Sequence, residues 1–102
     1  MTPRDNGKNW EREVAKDLGG NRTGPTGKNS VDVDYPHVGI ECKYQSKLSL
    51  RSDDLAQARK NAADAGYTNW ALLLKRRGGR DKLAVIEYDY LLELLEAKYG
   101  RV

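Results

Sequence analysis

The chain has no phenylalanine, one cysteine, one histidine and one methionine in 102 residues. A lone Cys42 excludes an internal disulfide, and with His37 as its sole histidine the chain cannot build zinc sites from the usual cysteine and histidine clusters. Proline is scarce, and no apolar run is long enough to cross a bilayer as a helix. Met1 to Lys8 is polar and lacks the apolar stretch of a secretory signal, so a cytoplasmic location is expected. The metal chemistry left open is that of a hard cation held by carboxylates.

What is present suits one small domain over residues 1–102, with 38% hydrophobic and 32% charged residues around a thin core. The net charge is +3, and Lys75, Arg76, Arg77, Arg80 and Lys82 crowd one segment. A polyanion partner fits that balance, although basic globular domains are common.

Trp10, Val14, Ala15 and Leu18 recur at helical spacing, with Gly19-Gly20 as a stop, which predicts a first helix from Asp5 to Leu18. Asn21 to Ser30 reads as a loop with a short edge strand near Arg22. Its GPTGK string is not a phosphate-binding loop, because Arg22 stands where glycine is needed and Asn29 where serine or threonine is needed. Val31 to Tyr44 predicts a β-hairpin around Tyr35-Pro36-His37-Val38. A second helix is expected over Asp53 to Ala65 with Ser52 as its cap, then strands over Trp70 to Leu74 and Leu83 to Tyr88 about a Gly78-Gly79 turn. A last helix runs from Asp89 to before Gly100, with Leu91, Leu92, Leu94 and Leu95 as its buried side. The order predicts an α/β or α+β fold, a central mixed sheet flanked by helices.

Period two along the hairpin puts Val31 and Val33 on one face and Asp32 and Asp34 on the other; in the returning strand Ile40 and Cys42 face away from Glu41 and Lys43. A four-residue turn pairs Val33 with Ile40, Asp34 with Gly39 and Asp32 with Glu41. Two adjacent carboxylates repel and call for a counter-charge, which Mg²⁺ supplies in its preferred oxygen environment. Lys43 adds a cation able to orient an attacking water or stabilise a pentavalent phosphate. A solvated surface hairpin with an exposed ion pair explains the same residues. On the first helix, Glu11 falls inside the arc of Trp10, Val14 and Ala15, whereas Glu13 falls beside Lys16 and Asp17 and reads as a solvated residue. An inward glutamate in a thin core calls for a basic partner or a shared metal, and a glutamate at the edge of the apolar stripe that reaches water explains the same position.

The series Trp10-Glu11-Arg12-Glu13, Arg22-Thr23, Ser30-Val31-Asp32-Val33 and Gly39-Ile40-Glu41-Cys42-Lys43 resembles the PD-(D/E)xK nucleases, and looks closest to the archaeal and phage Holliday junction resolvases. The resemblance covers Gly7 to about Leu74. It implies a restriction-endonuclease-like αβββαβ core and a Mg²⁺- or Mn²⁺-dependent DNA endonuclease. By position Glu11, Asp32 and Glu41 match the metal ligands, Lys43 the catalytic lysine, and Gln57 a glutamine of the following helix. Val31 stands where the superfamily often has proline, the spacing from Asp32 to Glu41 is short, and Asp34 competes as a ligand if the turn is tighter.

Arg22, Lys28, Lys47 and Arg51 bracket this constellation and, with Gln57, are the expected DNA contacts. Cys42 reads as a small core residue rather than a nucleophile. The resemblance implies four-way junction DNA as substrate and a symmetric homodimer; the apolar residues Trp70, Leu72 and Leu74, or the leucine-rich Leu91 to Tyr99 helix, are the expected interface. A nickase or repair nuclease on the same scaffold, or a DNA-binding module without catalysis, are the competing readings.

Overall fold

The computed structural model describes residues 3–23 and 31–101. The elements follow as α1 (Pro3–Leu18), β1 (Asn21–Arg22), β2 (Val33–Tyr35), β3 (Val38–Gln45), α2 (Ser52–Asp64), β4 (Asn69–Arg76), β5 (Lys82–Ile86) and α3 (Tyr88–Tyr99). Five strands form one sheet in the order β1-β2-β3-β4-β5, parallel between β3 and β4 and antiparallel elsewhere. The fold is α+β, a mixed sheet flanked by helices, and its first six elements run αβββαβ. No described helix is long and apolar enough to cross a membrane.

Local chemistry explains the corners. Gly19 ends α1 at a φ of +67°, and the Gly20 N–H reaches back to the Ala15 carbonyl at 2.9 Å. At the β2–β3 turn Pro36 presets its own φ, and His37 takes the left-handed conformation at φ +69°. That turn pairs Tyr35 with Val38 and fixes the register Asp34–Gly39 and Val33–Ile40 read from the sequence. The parallel β3–β4 pair needs a crossover, and α2 is that crossover.

Both sheet faces are covered. On the α1 side Trp10 and Val14 pack with Val33, Val38, Ile40 and Ala71, and the Trp10 indole N–H donates to the Leu73 carbonyl at 3.1 Å. On the α2 side Ala58 and Ala62 pack with Val31, Trp70, Leu72 and Leu74. Val31 and Val33, expected on one face, therefore lie on opposite faces. The cause is local: the Asp32 N–H donates to the Ile40 carbonyl at 2.9 Å although the ladder already places Val33 opposite Ile40. One residue too many at Asp32, in the manner of a β-bulge, slips the alternation and lets the chain cross from one core to the other. Gly39 sits under that crossing, and a Cβ there would lie 2.9 Å from Val31 and 3.0 Å from both Ala62 and Tyr67.

Two expectations about apolar residues fail. Trp70, Leu72 and Leu74 are core residues, 0–6% exposed, and offer no interface. The reverse holds for α3, which has no buried residue; Leu91, Leu92, Leu94 and Leu95 are each 41–45% exposed. The helix touches the α1-side core through Tyr90, and Leu94 borders an open apolar groove with Leu18, Tyr35, Leu73 and Ala84. The element boundaries differ by a few residues, and α2 begins at Ser52 rather than being capped by it; the Asp54 carboxylate instead accepts the Arg51 N–H at 3.3 Å.

Candidate active site

The sheet brings Asp32, Glu41 and Lys43 together where β2 begins, and α1 carries Glu11 to the same corner. Asp32 is displaced by its bulge, and its Oδ2 accepts the Cys42 N–H at 2.8 Å, capping an amide that the short β2 leaves without a strand partner. This bond ties the aspartate to β3 beside Glu41, a diagonal placement rather than the direct opposition read from the sequence. Glu41 points to the α2 side, where its Oε1 accepts from Asn61 Nδ2 at 2.9 Å. Burial pushes the Glu41 carboxyl up to about 7; the nearby Asp32 carboxylate adds to the rise, and the Asn61 bond and the Lys43 ammonium oppose it. Glu11 is also raised, first by burial and then by Asp32, with Arg22 opposing. The Cys42 thiol is pushed far up by burial and by the carboxylates of Asp32, Glu11 and Glu41, so it is an inert core group in negative surroundings.

The cations at this corner only partly balance those carboxylates. Arg22 pairs with Glu11 at 3.5 Å, and Lys43 lies 3.7 Å from Asp54 of α2, half-exposed. Asp34 is held elsewhere: the Tyr67 hydroxyl donates to its Oδ1 at 2.6 Å, and its backbone pairs with Gly39. Asp32, not Asp34, is therefore the aspartate beside Glu41. Among the described residues no three acidic, histidine or cysteine side chains converge closely enough to hold an ion by themselves. The chemistry of the pair still suits a hard cation. Asp32 and Glu41 supply two adjacent carboxylates, one of them strongly disfavoured as an anion, and Mg²⁺ characteristically binds through one or two carboxylates with water or phosphate oxygens filling its octahedron. Glu11, expected as a third ligand, is turned to Arg22 in this arrangement.

Of the expected DNA contacts, Lys47 and Arg51 are exposed between β3 and α2, Arg22 is half-buried against Glu11, and Lys28 lies outside the described residues. Gln57 is exposed, and its Nε2 donates to Asn61 Oδ1 at 2.6 Å. Asn61 thus links Gln57 to Glu41, a role the sequence reading missed. The signal was present: Asp54, Gln57 and Asn61 share one polar stripe of α2 beside the Ala58 and Ala62 stripe.

Glu13 is not the solvated residue its helical phase suggested. Its carboxylate lies 3.4 Å from Lys75 Nζ and 2.9 Å from Lys82 Nζ, and these contacts, Lys82 foremost, hold it below the ordinary range. Compared with known proteins, the chain matches no protein-family model, no curated protein and no solved structure.

Proposed function

We propose that the protein is a divalent-metal-dependent DNA endonuclease, with four-way junctions as its principal substrate. The observation that carries this reading is the adjacency of the Asp32 and Glu41 carboxylates, fixed by the Cys42 amide and Asn61, with Lys43 two residues further along the same strand. Asp32 and Glu41 would hold Mg²⁺ or Mn²⁺, with Glu11 joining them on release from Arg22. A bound cation would supply Lewis acidity toward a phosphodiester and a source of hydroxide at neutral pH. The remaining work falls to the chain. Asn61 occupies one Glu41 oxygen and fixes the carboxylate's orientation. Asp54 holds the Lys43 ammonium near the strand until a phosphate competes for it, and Lys43 then stabilises charge on the phosphoryl oxygens as water attacks phosphorus and the P–O bond breaks. Arg22, Lys47, Arg51 and Gln57, together with Lys28, would bind the backbone on either side.

The junction substrate rests on the resemblance to resolvases, and so does a homodimer, since a four-way junction presents two equivalent strands and one small domain holds one centre. The exposed leucines of α3 favour that assembly. The free Cys42 suits a reducing cytoplasm. Cleavage of labelled duplex, nicked, flap and four-way DNA with Mg²⁺ and with Mn²⁺ tests the reading. Paired cuts in the four-way substrate are expected, abolished by chelation. Cleavage of nicked or flap DNA alone would replace the resolvase by a repair nuclease, and binding without cleavage would leave a DNA-binding module.

A further inference from the structure

The basic segment between β4 and β5 divides sharply by electrostatic partner. Lys75 and Lys82 converge on Glu13, and Arg76 pairs with Asp81 at 2.8 Å, so these cations are spent inside the protein. Arg77 and Arg80 are exposed and have no carboxylate partner among the described residues. Arg77 is nonetheless held in place. Its N–H donates to the Gln45 carbonyl at 2.6 Å, extending the parallel pairing of β3 and β4 by one step, and its guanidinium stands 5.8 Å from the centre of the Tyr44 ring. Gly78, at φ +72°, makes the turn that carries Arg80 past it. A cation stacked on an aromatic ring and left without a counter-ion loses little freedom when it binds an anion.

We infer that the β4–β5 turn is a second DNA-backbone contact, in which Arg77 and Arg80 take phosphates several nucleotides from the bond being cut. The inference rests on the nuclease reading for the position of that bond. Because β3 and β4 are parallel, this turn emerges at the end of the sheet toward which β3 runs after Glu41 and Lys43. Glu41 and Gln45 lie four residues apart on β3, roughly 13 Å at about 3.3 Å per residue. A DNA strand advances about 3.4 Å along its axis per nucleotide, so Arg77 falls about four nucleotides from a phosphate over Glu41. Lys47, exposed just beyond the end of β3, lies on the same route. The partner is a nucleic-acid backbone rather than an acidic protein because an extended row of regularly spaced anions matches separated single cations, each with its own geometry.

The test is DNA affinity as a function of salt, measured by fluorescence anisotropy in Ca²⁺ with a labelled duplex and a four-way junction, for Arg77→Gln, Arg80→Gln and Lys82→Gln. All three remove one positive charge. The slope of log affinity against log salt, which is negative, is expected to become shallower by about 0.9 for each arginine variant and to stay at the wild-type value for Lys82→Gln. Cleavage rates at saturating DNA should be unchanged in the arginine variants, with the loss confined to KM. Equal slopes for all three variants, or wild-type slopes for both arginine variants, would overturn the inference while leaving the nuclease intact. Reduced slopes in a protein that binds but never cuts would sustain the turn contact and remove the nuclease. Absence of DNA binding, or preferential capture of anionic vesicles, would overturn it.

Discussion

Glu11 and Glu13 stand two residues apart on α1 and meet opposite fates. Glu13 reaches across to β4 and β5 and is met by two lysines, one carboxylate against two ammonium groups. Glu11 turns to the corner of β2 and β3, where its ion-pair partner, Arg22, faces a cluster that also contains Asp32 and Glu41. Glu13 is held below its ordinary pKa, whereas Glu11 and Glu41 are held above theirs. A balanced cluster fastens elements together. A cluster left with excess charge of one sign costs folding free energy, a cost that the proposed cation would offset.

Breaking each side of this comparison should give different phenotypes. The largest effect is expected from Asp32→Asn and Glu41→Gln, each of which should reduce DNA cleavage to background with binding largely intact, while Asp34→Asn, whose side chain is held by Tyr67, should cleave normally. Measured on a four-way junction at saturating Mg²⁺, wild-type rates from either of the first two variants would remove them from the centre. Next comes Lys43→Ala, expected to lose about 100-fold in single-turnover rate while retaining metal-induced thermal stabilisation; a smaller loss would make Lys43 a partner of Asp54 and nothing more. Glu11→Gln should impair cleavage, and Glu13→Gln should leave it nearly unchanged. For Glu13→Gln the cost should appear instead in a denaturant melt, as a small fall in midpoint, because Lys82 is half-exposed and the pair is screened. The smallest effect is the pH dependence of that cost: Glu13 has a depressed pKa, so its contribution is present above the ordinary carboxylate range and fades as pH falls below it.

The comparison also marks how far the sequence could be read. The order helix, hairpin, helix, strand, strand, helix and the Val33–Ile40 register were legible because they depend on periodicity and on a four-residue turn centred on Pro36-His37, both local. The nearness of Asp32 to Glu41 followed from that register, but its diagonal form did not, because a bulge inserts one residue without a compositional mark. Glu13 was misread for a different reason. Its lysines lie more than sixty residues away in sequence, and a helical wheel sees only its own helix. Asn61 escaped because its partner is on another element. Leucine spacing on α3 reported an apolar face correctly, yet nothing in such a pattern says whether this chain covers it, and among the described residues its leucines stay 41–45% exposed.

The central claim is that the Asp32–Glu41 pair trades stability for a cation, and Glu41→Gln tests it most directly by thermal unfolding with and without metal. Glu41 is raised from its ordinary 4.5 to about 7, so without metal its own contribution to stability is fully present below 4.5 and is lost as pH rises through 7. At about pH 8 in chelator, Glu41→Gln should unfold at a higher temperature than the wild type, since the glutamine can still accept the Asn61 bond and carries no charge beside Asp32. Adding Mg²⁺ or Mn²⁺ should raise the wild-type midpoint and leave the variant's where it was. A variant less stable than the wild type in chelator, or a wild type indifferent to both cations, would contradict the account.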